Sequence, residues 1–209
     1  MSFSENCNAL LNAYYEIERQ FIELLRIIPI DNHPNTHSPR LYDILQSSCS
    51  QTVNLLKHIC DELKLNYESK DFPNYYKVLN QTGILTRQLV DVSQGNLAYW
   101  PFVLAKDAET PDWWTAYNKT KHDLPKGYEK GSLRNTISAM TGIFALHNIA
   151  VYAQNFGKEI LNNKQWNEED ATALNTLIPS RAFTEPLMEG VPRSSIFYCA
   201  SYFRTLGGL

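Results

Sequence analysis

His122, Asn118 and Lys121 are the residues of this chain best placed to do chemistry together. They lie in the run Pro111-Asp112-Trp113-Trp114-Thr115-Ala116-Tyr117-Asn118-Lys119-Thr120-Lys121-His122-Asp123. On a helix, Trp114, Asn118 and His122 fall at i, i+4 and i+8 on one face, with Tyr117 and Lys121 alongside. Histidine is the side chain suited to moving a proton near neutral pH. Asn118 can fix its tautomer or meet a substrate oxygen. Lys121 and Arg134 can neutralise a phosphate or a developing negative charge. Tyr117 and Lys126 complete the substrate-facing candidates. The plain alternative is a structural histidine at a helix C-terminus, where the macrodipole favours basic groups, above tryptophans that only anchor a core.

The other candidates carry less. His147 sits between Leu146 and Asn148 in an apolar run and is expected to be a satisfied core or interface histidine. His58 follows Lys57 and reads as a surface residue. His33 and His37 are spaced i, i+4, but Pro34 lies between them. Asp31 could complete a metal set there, yet nothing enforces the geometry, and no metal site is expected. There is no HExxH, GxSxG, Walker A or GxGxxG motif, so no cofactor is expected. Cys7, Cys49, Cys60 and Cys199 form no CxxC pair and read as reduced structural thiols of a cytoplasmic protein.

The elements that position these residues are mostly helical. Leu10, Leu11, Tyr14, Ile17, Phe21, Leu24, Leu25 and Ile28 recur at helical spacing, predicting a first helix over 4–28 capped by Ser4 and closed by Pro29. Ser38-Pro39 caps a second over 38–66, giving an antiparallel helical hairpin. Residues 67–110 are irregular. They hold a short helix started by Asp71 and a β-hairpin in which the strand ending residues 84–92 returns over Leu97 to Leu104 around Gln94-Gly95-Asn96. Thr110-Pro111 opens the tryptophan helix (111–123). Ser132 caps a long helix over 132–161. A further helix is expected from Asn167 to about Ile178. The tail beyond Pro179, including Ile196-Phe197-Tyr198, is expected to wrap the surface. The sum is one domain over 1–209: an all-α, up-and-down bundle of four to five main helices with a small β-hairpin insertion.

Composition bounds function loosely. Over 209 residues, 44% are hydrophobic and 20% charged, ordinary values for a globular chain. A net charge of −3 gives no global field toward nucleic acid. Lys119, Lys121, Lys126 and Lys130 form a local basic cluster, diluted by Asp123 and Glu129. No stretch reads as apolar for long enough to span a bilayer, so no membrane partner is expected.

Two segments carry a family resemblance. Ser38-Pro39-Arg40-Leu41-Tyr42-Asp43-Ile44-Leu45 resembles the YSP-x-L-x-x-L opening of HEPN-superfamily proteins, with His37 where the tyrosine would stand. Trp113 to His122, followed by a long apolar helix, resembles their WW-x-x-YN-x-x-KH signature. The resemblance spans roughly residues 4–156. It implies a helical bundle, a homodimer and, as in many members, a metal-independent ribonuclease or toxin of bacterial defence acting on RNA or nucleotides. In that reading the RNA 2′-hydroxyl, a group DNA lacks, attacks its own phosphorus. His122 would be the general acid/base, Asn118 its positioner, and Lys121 and Arg134 the positive charge. The chain departs from the pattern at one point: no arginine precedes His122 at the family's spacing, and Asn118 and Lys121 stand there instead. Arg26, followed by six residues and then His33, satisfies the spacing, but it spans a helix end and a proline loop. The alternative is a non-catalytic dimerisation or protein-binding module in which the tryptophan segment is structural.

Overall fold

A computed structural model describes residues 2–30, 33–86, 88–93, 97–122, 127–162, 194 and 196–199. Five α-helices are described: α1 (Phe3–Leu25), α2 (Pro39–Glu62), α3 (Phe72–Asn80), α4 (Asp112–His122) and α5 (Leu133–Asn162). A 3-10 turn (Tyr128–Lys130) links α4 to α5. Three short strands, β1 (Val90–Val92), β2 (Leu97–Tyr99) and β3 (Phe197–Cys199), form one antiparallel sheet in the order β2-β1-β3. The expected all-α bundle with a small β-hairpin is therefore the architecture found.

Helix direction follows from named contacts. At one end of the α1–α2 hairpin, Arg40 reaches Glu23 at 3.8 Å. Thr136 donates to the Leu41 carbonyl at 3.2 Å, and Ser48 meets the Met140 sulfur at 3.1 Å. Partners thus advance together, and α2 and α5 run in the same direction. Helix α4 runs against both, with Thr120 beside Gln46 and Trp113 beside Gly142. The order α1, α2, α4, α5 alternates up and down around one core cluster that includes Tyr14, Phe21, Leu45, Leu55, Trp113 and Phe144.

Boundaries differ from expectation for local reasons. Ser2, not Ser4, caps α1: its hydroxyl accepts from the Glu5 amide while the Glu5 carboxylate accepts from the Ser2 amide, a reciprocal capping box. Ser38 caps α2 and Asp71 caps α3 as expected, each accepting from the amide three residues on. The Ser132 hydroxyl accepts from the Asn135 amide. Helix α2 stops at Glu62 rather than near 66. Lys64 adopts φ 53°, the Leu65 amide reaches back to the Cys60 carbonyl, and the Lys64 amide to that of Asp61. This is a Schellman termination without its usual glycine.

The strands are shorter than expected, and the tail is used differently. β1 begins at Val90, after buried Ile84 and Leu85, and β2 ends at Tyr99, where the Val103 amide turns back to the Trp100 carbonyl. The tail does not only wrap the surface. Ile196 and Phe197 are buried, β3 pairs with β1 across from the hairpin partner, and Phe197 lies between Phe21 and Phe144. The helix expected over 167–178 lies outside the described residues. The expectation that no stretch is long and apolar enough to cross a membrane also needs correcting. Leu133–Gln154 of α5 meets that length and composition, with mean hydropathy 1.3, although 94% of the window is buried inside the bundle. A helix hydrophobic on every side has this signature when other helices surround it.

Candidate functional site

Helix α4 is anchored by aromatic packing. Trp114 stacks on Phe72 with centroids 3.9 Å apart, and Trp113 meets Phe72 and Phe102 edge-on. The Trp113 indole N–H donates to the Pro101 carbonyl at 2.6 Å, and the Tyr76 hydroxyl to the Phe102 carbonyl at 2.8 Å. Such rings each bury a large area, and offset or edge contacts add about 1 kcal/mol per pair. Tyr117 is buried against Trp114. Buried Thr120 donates to the Tyr117 carbonyl and accepts from Gln46, tying the last turn to α2. Trp113 and Trp114 are thus core anchors and are not presented to solvent.

The face carrying Trp114, Asn118 and His122 climbs out of that core. Trp114 is buried, Asn118 half-buried and His122 exposed. The Trp114 indole N–H has no acceptor among the described residues. Lys121 is exposed, its ammonium 5.7 Å from the Tyr117 ring centroid, within cation–π reach. Lys119, Lys121 and His122 all occupy the last turn, where the helix dipole favours basic groups. Arg134 is exposed in the first turn of α5, and Lys126 lies outside the described residues.

Several segments meet at this end of the bundle. Gly127 is pressed on the end of α4: a Cβ there would lie 2.5 Å from the Lys119 carbonyl oxygen. Tyr128 meets His37 edge-to-face at 5.3 Å. The loop 33–37 is braced on α5, whose Leu133 and Arg134 amides donate to the Thr36 and Pro34 carbonyls at 2.8 and 2.9 Å. Residues His33 to His37 line an open concavity of about 450 Å³. The fold therefore places Asn118, Lys121 and His122 on α4 and Arg134 at the start of α5, where the Arg134 backbone amide holds the loop that carries His33. No cluster of three or more metal-ligating side chains occurs among the described residues.

A second polar group, missed in the sequence, lies in the core. Glu18 is only 5% exposed, and its carboxylate accepts hydrogen bonds from the Tyr14 hydroxyl at 2.8 Å and from the Ser194 hydroxyl. Burial raises its pKa above the ordinary value, against the lowering effect of both hydroxyls. Tyr14 is fully buried and raised well above its ordinary range by the same desolvation and by the nearby carboxylate. The Tyr14 ring lies 5.4 Å from that of His147. His147 is buried as expected, but it is not satisfied: its Nε2 has no partner among the described residues, and burial pushes its pKa down to about 3. The available signal was an acid on the apolar stripe of α1, four residues from Tyr14. Cys7, Cys49 and Cys60 are free thiols, as expected, with Cys60 pushed up to about 12 by burial.

No protein-family model, curated protein or solved structure matches this chain.

Proposed function

We propose that this is a HEPN-like protein directed at RNA or a nucleotide, with the exposed end of α4 as its working surface. His122 acts as general acid/base and Asn118 orients it or the phosphate. Lys121 and Arg134 supply the positive charge that the family's missing arginine would give. The observation carrying this reading is the graded exposure along one helix face. Packing fixes Trp114 and Tyr117, while Asn118, Lys121 and His122 emerge from that rigid base into solvent. A site on a locked helix holds its geometry better than one on a free loop. Catalysis in this family-type reading joins two copies, so a homodimer bringing two His122 side chains to one groove belongs to the proposal.

The test is a His122→Ala variant assayed for cleavage of single-stranded RNA and for thermal stability. The expected result is a loss of at least about a hundredfold in rate, in the range for a general acid–base group, with Tm unchanged. Equal cleavage by both proteins overturns the assignment of His122.

The second reading is a non-catalytic helical dimerisation or protein-binding module. It is favoured by the complete use of Trp113, Trp114 and Tyr117 as core anchors. It predicts no RNA cleavage and no RNA affinity in the wild-type dimer.

A further inference from the structure

We propose that the C-terminal strand is a proton-linked strap, whose docking on β1 is controlled by the charge on the Glu18 carboxyl. The strap comprises Ser194, Ile196 and β3, and three contacts hold it. Phe197 fills a slot between Phe21, at 6.3 Å, and Phe144, at 6.0 Å. β3 pairs with β1, and the Ser93 amide donates to the Ile196 carbonyl at 2.9 Å. The Ser194 hydroxyl donates to Glu18 while accepting from the amides of Ile196 and Phe197, so one side chain both shapes the strap and joins it to the acid.

The joint has an unusual electrostatic composition. Glu18 is nearly fully buried, and its partners among the described residues are two neutral hydroxyls, with no cation. A buried ionised carboxylate without a cation is costly, and hydroxyl donors offset only part of that cost. Undocking the strap removes Ser194, Ile196 and Phe197 from around α1 and lets water reach the acid. The ionised form therefore favours the undocked state.

Buried titratable groups on the neighbouring elements include Tyr14 on α1, His147 on α5, and Cys49 and Cys60 on α2, and β1 carries half-buried Asp91. Arg19, next in sequence, points to exposed Glu16 and Glu23. Burial holds Tyr14, Cys49, Cys60 and His147 in their neutral forms near pH 7. Glu18 is raised when docked, above an ordinary value of 4.5. The sign follows directly: docking is strongest below 4.5 and weakens as pH rises toward the raised value. The opening constant grows by up to about tenfold per pH unit across that window.

Amide hydrogen exchange of the full-length protein between pH 5 and pH 8, divided by the chemical exchange rate at each pH, tests this. The expected result is an opening constant for residues 197–199 that rises with pH to a plateau, while the α2 amides keep one value. Glu18→Gln flattens the rise. Ser194→Ala, which keeps the acid, opens the strap more at every pH and retains the rise. Asp91→Asn leaves the rise intact. Three outcomes overturn the proposal: an unchanged rise in Glu18→Gln, loss of the rise in Asp91→Asn, or exchange of the strap and α2 together at every pH.

Discussion

His147 shows how one buried side chain sets a pH response. Its folded value is near 3 and its ordinary value 6.5, so between these the unfolded chain binds the extra proton. Stability from this group is complete above 6.5 and is lost as pH falls toward 3. The expected loss from pH 7 to pH 5 is about 2 kcal/mol, at 1.36 kcal/mol per unit. Urea unfolding at the two pH values should show it as the difference between wild type and His147→Leu, a change of similar volume. Glu18 acts in the opposite sense, which is why the difference between variants isolates the histidine. Trp114 offers a second check. Trp114→Phe keeps a ring on Phe72 and removes an indole N–H that has no acceptor among the described residues, so it should cost about 1 kcal/mol. Trp114→Ala should cost about 4 kcal/mol, in the range for deleting a buried aromatic.

Among the elements, the ends of helices decide most. Lys64 holds a left-handed conformation that suits glycine, so Lys64→Gly should stabilise the protein by about 1 kcal/mol, read as a Tm rise of a few degrees. Gly127→Ala should do the reverse. Its Cβ meets backbone rather than a yielding side chain, so Tm should fall. The same ends explain how far the sequence could be read. Periodic apolar residues located α1, α2 and α5, Thr110-Pro111 marked the start of α4, and Ser38, Asp71 and Ser132 were visible as caps. The stop at Glu62 was not visible, because a lysine stands where a glycine would have announced it. The third strand was hidden because its partner, β1, is some hundred residues away and pairing leaves no local trace. At the site, the spacing of Trp114, Asn118 and His122 was legible. Which of them would be buried was not, since that depended on Phe72, Phe102 and Gly142 arriving from other segments.

For the whole molecule, the net charge of −3 gives no general pull on RNA, so the proposed RNA affinity would have to come from the few basic groups at one end of the bundle. Binding of a single-stranded oligonucleotide should then weaken with salt. Removing Lys121 or Arg134 by alanine substitution should reduce the slope of log affinity against log salt by about 0.7 each. A slope unchanged in both variants would place the RNA elsewhere. That end of the bundle exists only because the loop 33–37 and the start of α5 hold each other through backbone hydrogen bonds, with Thr136 reaching Leu41 across 95 residues. This has a consequence for synthesis. A chain growing on the ribosome carries His122 and the loop 33–37 before it carries the start of α5 at Leu133, whose amides brace that loop. The first 130 residues hold every candidate proton-transfer group of the α4 face but not the frame that fixes it. The frame of the proposed working surface therefore closes only once α5 has emerged, and a nascent chain stalled before α5 should show none of the proposed activity.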